Sequence, residues 1–178
     1  MSLIIKKKWI ASSNCINSLY AEINCVLLNS CKCIMDYQIL KNRIKKHEGF
    51  RDTVYADSLG KFTIGYGHLL TEDDDFEEGI QYDKSLLENL FDKDFNKAVY
   101  NAQLLLEGID VCDTAREVII EMVFQLGIGG VSKFKKMFEA LRNKDYNKAA
   151  DEMLNSVWYR QTPSRCEELS NLMRKCQA

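Results

Sequence analysis

One short stretch of two-residue alternation, around residues 50–67, interrupts a chain whose apolar residues otherwise recur every three or four positions. Phe62, Ile64 and Tyr66 share one face of it, while Thr63, Gly65 and Gly67 share the other, where three small residues leave room for a bulky group. A glycine-containing turn, Asp57-Ser58-Leu59-Gly60, makes it a hairpin. Before it, Tyr37, Leu40, Ile44 and Glu48 keep helical spacing from Met35 onward, and Gly49 stops that helix. After it, everything is helical. A long amphipathic helix spans 83–107 with Leu87, Phe91, Asp94, Ala98, Ala102 and Leu105 along one stripe. The next opens on a capping-box pair, Thr114 and Glu117, buries Ala115, Val118, Ile119, Met122, Val123 and Leu126, and ends at Gly127. Shorter helices follow at 133–142 and 145–155, and a last one begins at Thr162-Pro163. With a single proline in the chain, the expected class is α+β, mostly helical.

The 178 residues allow one domain with a real core, or two small lobes sharing a helix. No run of 18 apolar residues occurs, so no membrane span is expected. Residues 1–34 show no period and no cap, and are expected to be an extension, poorly ordered or upstream of a true start at Met35, with residues 35–178 as the domain. Lys6, Lys7 and Lys8 resemble the charged start of a secretory leader, but Ser12, Ser13, Asn14, Asn17 and Ser18 break up any apolar run after them, so secretion is not supported. Without that segment 20 basic and 25 acidic residues remain. Such a domain has no electrostatic reason to bind nucleic acid, and no positive field to draw it onto an anionic polymer. The seven cysteines have neither a disulfide-framework spacing nor the paired spacing of a zinc site, so free thiols are expected. No metal and no cofactor is implied, and the acidic run at 71–79 fits no calcium loop.

Three residues carry candidate chemistry. Glu48 follows the apolar stripe of its helix and is partly removed from water; Asp57 stands in a polar turn; Thr63 places a hydroxyl beside them. Two carboxylates in different settings are the minimal equipment for splitting a glycosidic bond. Two further residues break their patterns. Asp94 lies on an apolar stripe and needs a partner, for which His68, also on an apolar face, is the candidate in a structural pair. Phe124 points about 180° away from the buried face of its helix, toward a second lobe or a cleft.

Glu48-Gly49, Tyr55-x-Asp57, Gly60-x-x-Thr63-Ile64-Gly65-Tyr66-Gly67-His68-Leu69-Leu70-Thr71, Met122-Val123-Phe124-Gln125-Leu126-Gly127 and Trp158-Tyr159-x-Gln161-Thr162-Pro163-x-Arg165 occur in this order. Together they make the chain, from Met35 onward, resemble the phage-type lysozymes (endolysins) of glycoside hydrolase family 24, those of T-even phages in particular. The resemblance implies a lysozyme-like two-lobed fold, with a β-hairpin lobe joined by a long helix to a helical lobe. It implies a muramidase acting on the peptidoglycan glycan strand, with bacterial lysis, as a monomer that resides in the host cytoplasm before reaching the wall. It implies Glu48 as general acid, Asp57 as the ionised partner, Thr63 as holder of the water, and Arg165 as partner of the acid. Leu69, Phe124, Met137 and Glu152 fall at substrate-contacting positions; Met137 and Glu152 replace small polar groups there, and Glu152 adds a negative charge. The alternative is a catalytically weak module of the same fold that binds glycan or serves in a phage assembly.

Overall fold

The structure is a computed structural model and describes residues 37–57 and 60–176. Apart from Ser58, Leu59, Gln177 and Ala178, the described residues make up one unit, Tyr37–Ala178. The expected extension at 1–34, its four cysteines, and Ser58 and Leu59 of the hairpin turn lie outside the described residues.

This unit runs α1 (Gln38–Glu48), β1 (Arg51–Ala56), β2 (Phe62–Gly65), β3 (His68–Leu69), α2 (Lys84–Leu105), α3 (Asp113–Val131), α4 (Lys135–Arg142), α5 (Tyr146–Leu154), α6 (Val157–Gln161) and α7 (Pro163–Arg174). It is a lysozyme-like α+β fold, mostly helical, with one three-stranded antiparallel sheet in the order β1-β2-β3. Tyr55 faces Thr63 and Ala56 faces Phe62 across the first pairing; Thr63 faces Leu69 and Ile64 faces His68 across the second. The third strand is too short to leave a periodic signal in the sequence. Because β2 is central, Thr63 and Gly65 are buried along with Ile64, whereas Phe62 at its start is exposed.

Two apolar clusters share this unit. Val54, Ile64 and Leu87 make a small one under the sheet. The other gathers the helices, from Leu40 and Ile44 of α1 to Leu169 and Met173 of α7. Helix α2 serves both, giving Leu87 to the first and Phe91, Phe95, Ala98 and Ala102 to the second. Asp83 caps it through a hydrogen bond from the Ser85 amide at 2.7 Å. No helix among the described residues is long and apolar enough to cross a membrane.

Helix α3 departs from the sequence reading in three ways. It starts at Asp113, and its cap is the Cys112 sulfur, which accepts from the Ala115 amide, so Thr114 and Glu117 form no capping box. Glu117 instead lies 3.6 Å from Arg43 of α1. Gly127, with φ 68°, breaks the helix as expected, but a further turn continues to Val131. Most importantly, every residue from Val118 to Val123 is buried, including Ile120 and Glu121, which lie off the predicted apolar face. A helix packed between α2 and α7, with α1 also against it, is covered on more than one side.

The cysteines also differ from expectation. Cys112 and Cys176, 64 residues apart, are joined by a disulfide, with Cα atoms 6.4 Å apart. Neither spacing nor periodicity signals this pair, because it forms only when α7 returns to the start of α3. Cys166 is the free thiol expected of a buried small residue; burial pushes it up to about 12, and it donates to the Met153 carbonyl. At α7, Pro163 takes the first helical position, while the Thr162 hydroxyl donates back to the Trp158 carbonyl instead of capping.

Leu87 links the hairpin to α2, so Leu87→Ala is expected to cost about 2–5 kcal/mol through its transfer and cavity terms. Amide exchange should then rise in β1 and β2 well before it rises in α3. Equal acceleration in both regions would show that the hairpin has no separable packing of its own.

Candidate active site

Glu48 is the last residue of α1, one turn beyond the fully buried Ile44, so the stripe that buries Leu40 and Ile44 carries its carboxyl inward. Gly49, at φ 71°, turns the chain away at once. The Glu48 side chain keeps 21% of its surface exposed. Its Oε1 accepts from Arg165 Nη1 at 2.7 Å. Its Oε2 lies against Gly67, in the turn between β2 and β3; a Cβ at that position would stand 3.2 Å from the oxygen. Gly67 also has φ 79°, a backbone that side chains disfavour. One oxygen is thus held by a cation and the other is left at the edge of the sheet.

Behind Arg165 lies a group the sequence reading did not find. Glu121 on α3 is fully buried. Its Oε1 meets His47 Nδ1 at 2.7 Å and Arg165 Nε at 3.2 Å, and its Oε2 accepts from Arg43 Nε at 2.7 Å. His47 Nε2 reaches Glu168 at 3.2 Å. A signal was present in the sequence: Glu121 is the one charged residue between Val118 and Phe124, and Arg43 and His47 are four apart on α1.

Asp57 follows β1 directly. Its Oδ1 accepts from the Lys61 amide at 2.9 Å, and its own amide and carbonyl bond Lys61 and Gly60, closing the turn. Thr63, buried in the central strand, donates its hydroxyl to the Tyr55 carbonyl at 3.3 Å. The three candidate residues therefore come from the end of α1, the tip of the hairpin and the middle strand.

Three depressions are lined by candidate residues, and of Glu48, Asp57 and Thr63 only Glu48 lines one of them. One of about 320 Å³ is lined by Gly67, His68, Leu69, Asp94 and Phe124. One of about 410 Å³ contains Glu48, Gln125, Thr162 and Arg165. A third, of about 610 Å³, is lined by Lys133, Lys136, Met137, Glu152, Trp158 and Gln161. Gly67, which lines the first, lies against Glu48, which lines the second. Gln125, which lines the second, lies within 3.4 Å of Thr162 and accepts at 2.9 Å from Nε1 of Trp158, which lines the third.

Leu69 is exposed, and Phe124 is half-buried, its ring 5.5 Å from that of Phe91 on α2. Phe124 thus packs on the long helix and also lines the first depression. Met137 is fully buried in the wall of the third depression, so it supports that wall and presents no polar atom. Glu152 is paired with Lys148 at 3.6 Å, so its charge is countered rather than offered alone.

The family described as phage lysozyme matches residues 45–177. The chain belongs to the phage lysozyme family. It is 34% identical to probable T4-type lysozyme 2 of Dictyostelium discoideum, covering 71% of this chain and 88% of that protein. It is 31% identical to probable T4-type lysozyme 1 of the same organism, covering 75% and 92%. Similarity extends to peptidoglycan hydrolase gp36 of Pseudomonas phage phiKMV, at 30% identity over 71% of this chain and 14% of the phage protein. Family membership makes the chain a lysozyme-like glycoside hydrolase.

In this family member the rim of the first depression carries a further charge cluster. His68 Nδ1 lies 2.7 Å from Asp94 Oδ2, and its Nε2 lies 3.3 Å from Asp74 Oδ2. The Asp94 contact is the expected pair; Asp74, from the acidic run, is an addition that no local pattern signals. The hydrogen bond to Asp94 raises the His68 pKa from 6.5 despite burial, with Asp74 adding to the effect. Burial pushes Asp74 upward, but hydrogen bonds from the Thr71 amide and hydroxyl, and from His68, bring it below 3.8. A histidine whose folded value is raised contributes stability below its unfolded value and loses it as pH rises through the folded one. Asp74 contributes above its unfolded value and loses it as pH falls through its lowered one. The cluster is therefore strongest in the mildly acidic range between them.

Asp94→Asn should cost about 1–2 kcal/mol at about pH 5.5, the lower part of the range for a charge-assisted bond given its partial exposure. That corresponds to about 3–6 °C in Tm, shrinking by about pH 9. Melting curves at both pH values check this, and an identical difference at each would refute a charged pair.

Proposed function

We propose that this chain is a muramidase that hydrolyses the β-1,4 bond between N-acetylmuramic acid and N-acetylglucosamine in bacterial peptidoglycan, with lysis of the bacterial cell as its outcome. The observation that carries this reading is the state of Glu48. One of its oxygens is tethered to Arg165, and the other faces Gly67 beside a groove lined by Leu69 and Phe124. A general acid needs that asymmetry, with one oxygen fixed for orientation and the other open to the leaving group.

In the proposed reaction, Glu48 gives its proton to the glycosidic oxygen as that bond to the anomeric carbon breaks. The ring gains oxocarbenium character, which the ionised Asp57 stabilises. A water held by Thr63 attacks from the opposite face, Asp57 takes the water's proton, and the anomeric centre inverts. Inversion needs carboxyls about 6.5–9.5 Å apart, wide enough to admit that water. Because the Thr63 hydroxyl proton is directed to the Tyr55 carbonyl, its oxygen lone pairs are left to accept from the water, which turns the water's own lone pair toward the sugar. A fixed acceptor of this kind orients a nucleophile without contributing charge. The excess of acidic residues gives no long-range attraction to an anionic wall, so binding depends on contacts in the groove.

Turbidity clearing of purified peptidoglycan tests the reading. Glu48→Gln and Asp57→Asn should each reduce clearing by about 10²–10⁴-fold, the usual contribution of a positioned acid or base. Clearing at the wild-type rate by both variants would end the proposal. Wall binding by a wild type that never clears would favour a glycan-binding module of the same fold.

A further inference from the structure

Glu121 places a carboxylate in the middle of α3 with no exposed surface, between Ile120 and Met122, which are also buried. For stability alone an apolar side chain there would serve as well, since the desolvation of buried ions commonly offsets their attraction. What distinguishes Glu121 is the company it keeps. Arg165 uses Nε for Glu121 and Nη1 for Glu48, so a single planar guanidinium links the buried carboxylate to the one at the groove.

We propose that Glu121 is a positioning residue for the reaction: it fixes the plane of Arg165 from which Nη1 reaches Glu48, and its charge counters the arginine's beside that residue. This rests on the muramidase reading. Two points of attachment decide the plane of a rigid fork, and Glu121 supplies the one away from the substrate. The polar groups around it are Arg43 and His47 from α1 and Arg165 from α7, with Glu117 beyond Arg43 and Glu168 beyond His47. Without the Glu121 carboxylate, Arg165 would have Glu48 as its sole carboxylate partner among these contacts, and nothing there would fix the plane of its guanidinium. Arg43 holds the other oxygen of the Glu121 carboxylate, and His47 shares the oxygen that Arg165 meets, so both ends of the group are fixed.

Glu121→Gln keeps the shape and removes the charge. Three readouts are expected. The kcat on purified peptidoglycan falls about tenfold with KM within about twofold, the pattern of a lost transition-state interaction. The alkaline limb of the kcat profile moves about one unit to lower pH, as the uncountered arginine dictates. Exchange of the Arg165 Nε–H with solvent, followed by NMR without substrate, accelerates at least about tenfold, because its buried acceptor is weakened. Glu121→Asp, which keeps the charge, should restore the position of the alkaline limb. A purely structural role would instead lower Tm and the active fraction while leaving the shape of the profile unchanged.

Unchanged Nε–H exchange and an unchanged pH profile in folded Glu121→Gln overturn this inference and leave the muramidase reading standing. A wild type that clears no peptidoglycan overturns that reading, and the catalytic part of this inference with it. Should Glu121→Gln not fold, Arg165→Lys decides: a lysine cannot bridge both carboxylates, so kcat should fall about tenfold with KM kept. An undiminished kcat overturns the inference.

Discussion

A carboxylate sealed inside a helix bundle has to be met by hydrogen-bonding partners, and Glu121 draws its partners from two of the helices that line the depression holding Glu48. Arg43 and His47 reach it from α1, and Arg165 from α7. They come from two segments, so the hub ties the residue before Glu48 and the residue that grips Glu48 to the same point on α3. Apolar packing holds helices together but tolerates small sliding; a charge with several directed hydrogen bonds does not. The geometry of the candidate acid is therefore inherited from a group that never reaches the groove.

The remaining half of the site depends on how the sheet is fastened to the bundle. Helix α2 gives Leu87 to the cluster under the strands and Phe91 and Phe95 to the helical core. Above that junction, Tyr66 stacks edge-on against Phe91 at 5.3 Å, and its hydroxyl donates to Glu88 at 2.8 Å. Lys45 of α1 pairs with the same Glu88 and lies over both rings. Tyr66 directly precedes Gly67, so the turn that faces Glu48 Oε2 is anchored to α1 and α2 together. The site is thus set from two sides, by a charge hub behind Arg165 and by an aromatic and ionic contact before Gly67.

Much of this was legible in the chain. The change from helical to two-residue periodicity gave the α+β class. Asp83, Gly49 and Pro163 mark helix ends through local conformational preference, which tertiary contacts seldom overrule. Glu48, Asp57 and Thr63 stand out as candidates because their residue types and order fit a chemical requirement. His68 and Asp94 were paired correctly because each violated the apolar face it sat on.

What the sequence by itself determined about this protein is which residues share a face of one element, since that follows from 3.6 and 2 residues per repeat alone. Only the tertiary structure decided which faces are covered, and how many times. Helix α3 has neighbours on several sides, so Glu121, polar by its own wheel, is interior. Asp74 turns in to His68, and Cys112 meets Cys176 across 64 residues. The physical reason is common to all three: burial and pairing are properties of the space between elements, and periodicity describes a single element at a time.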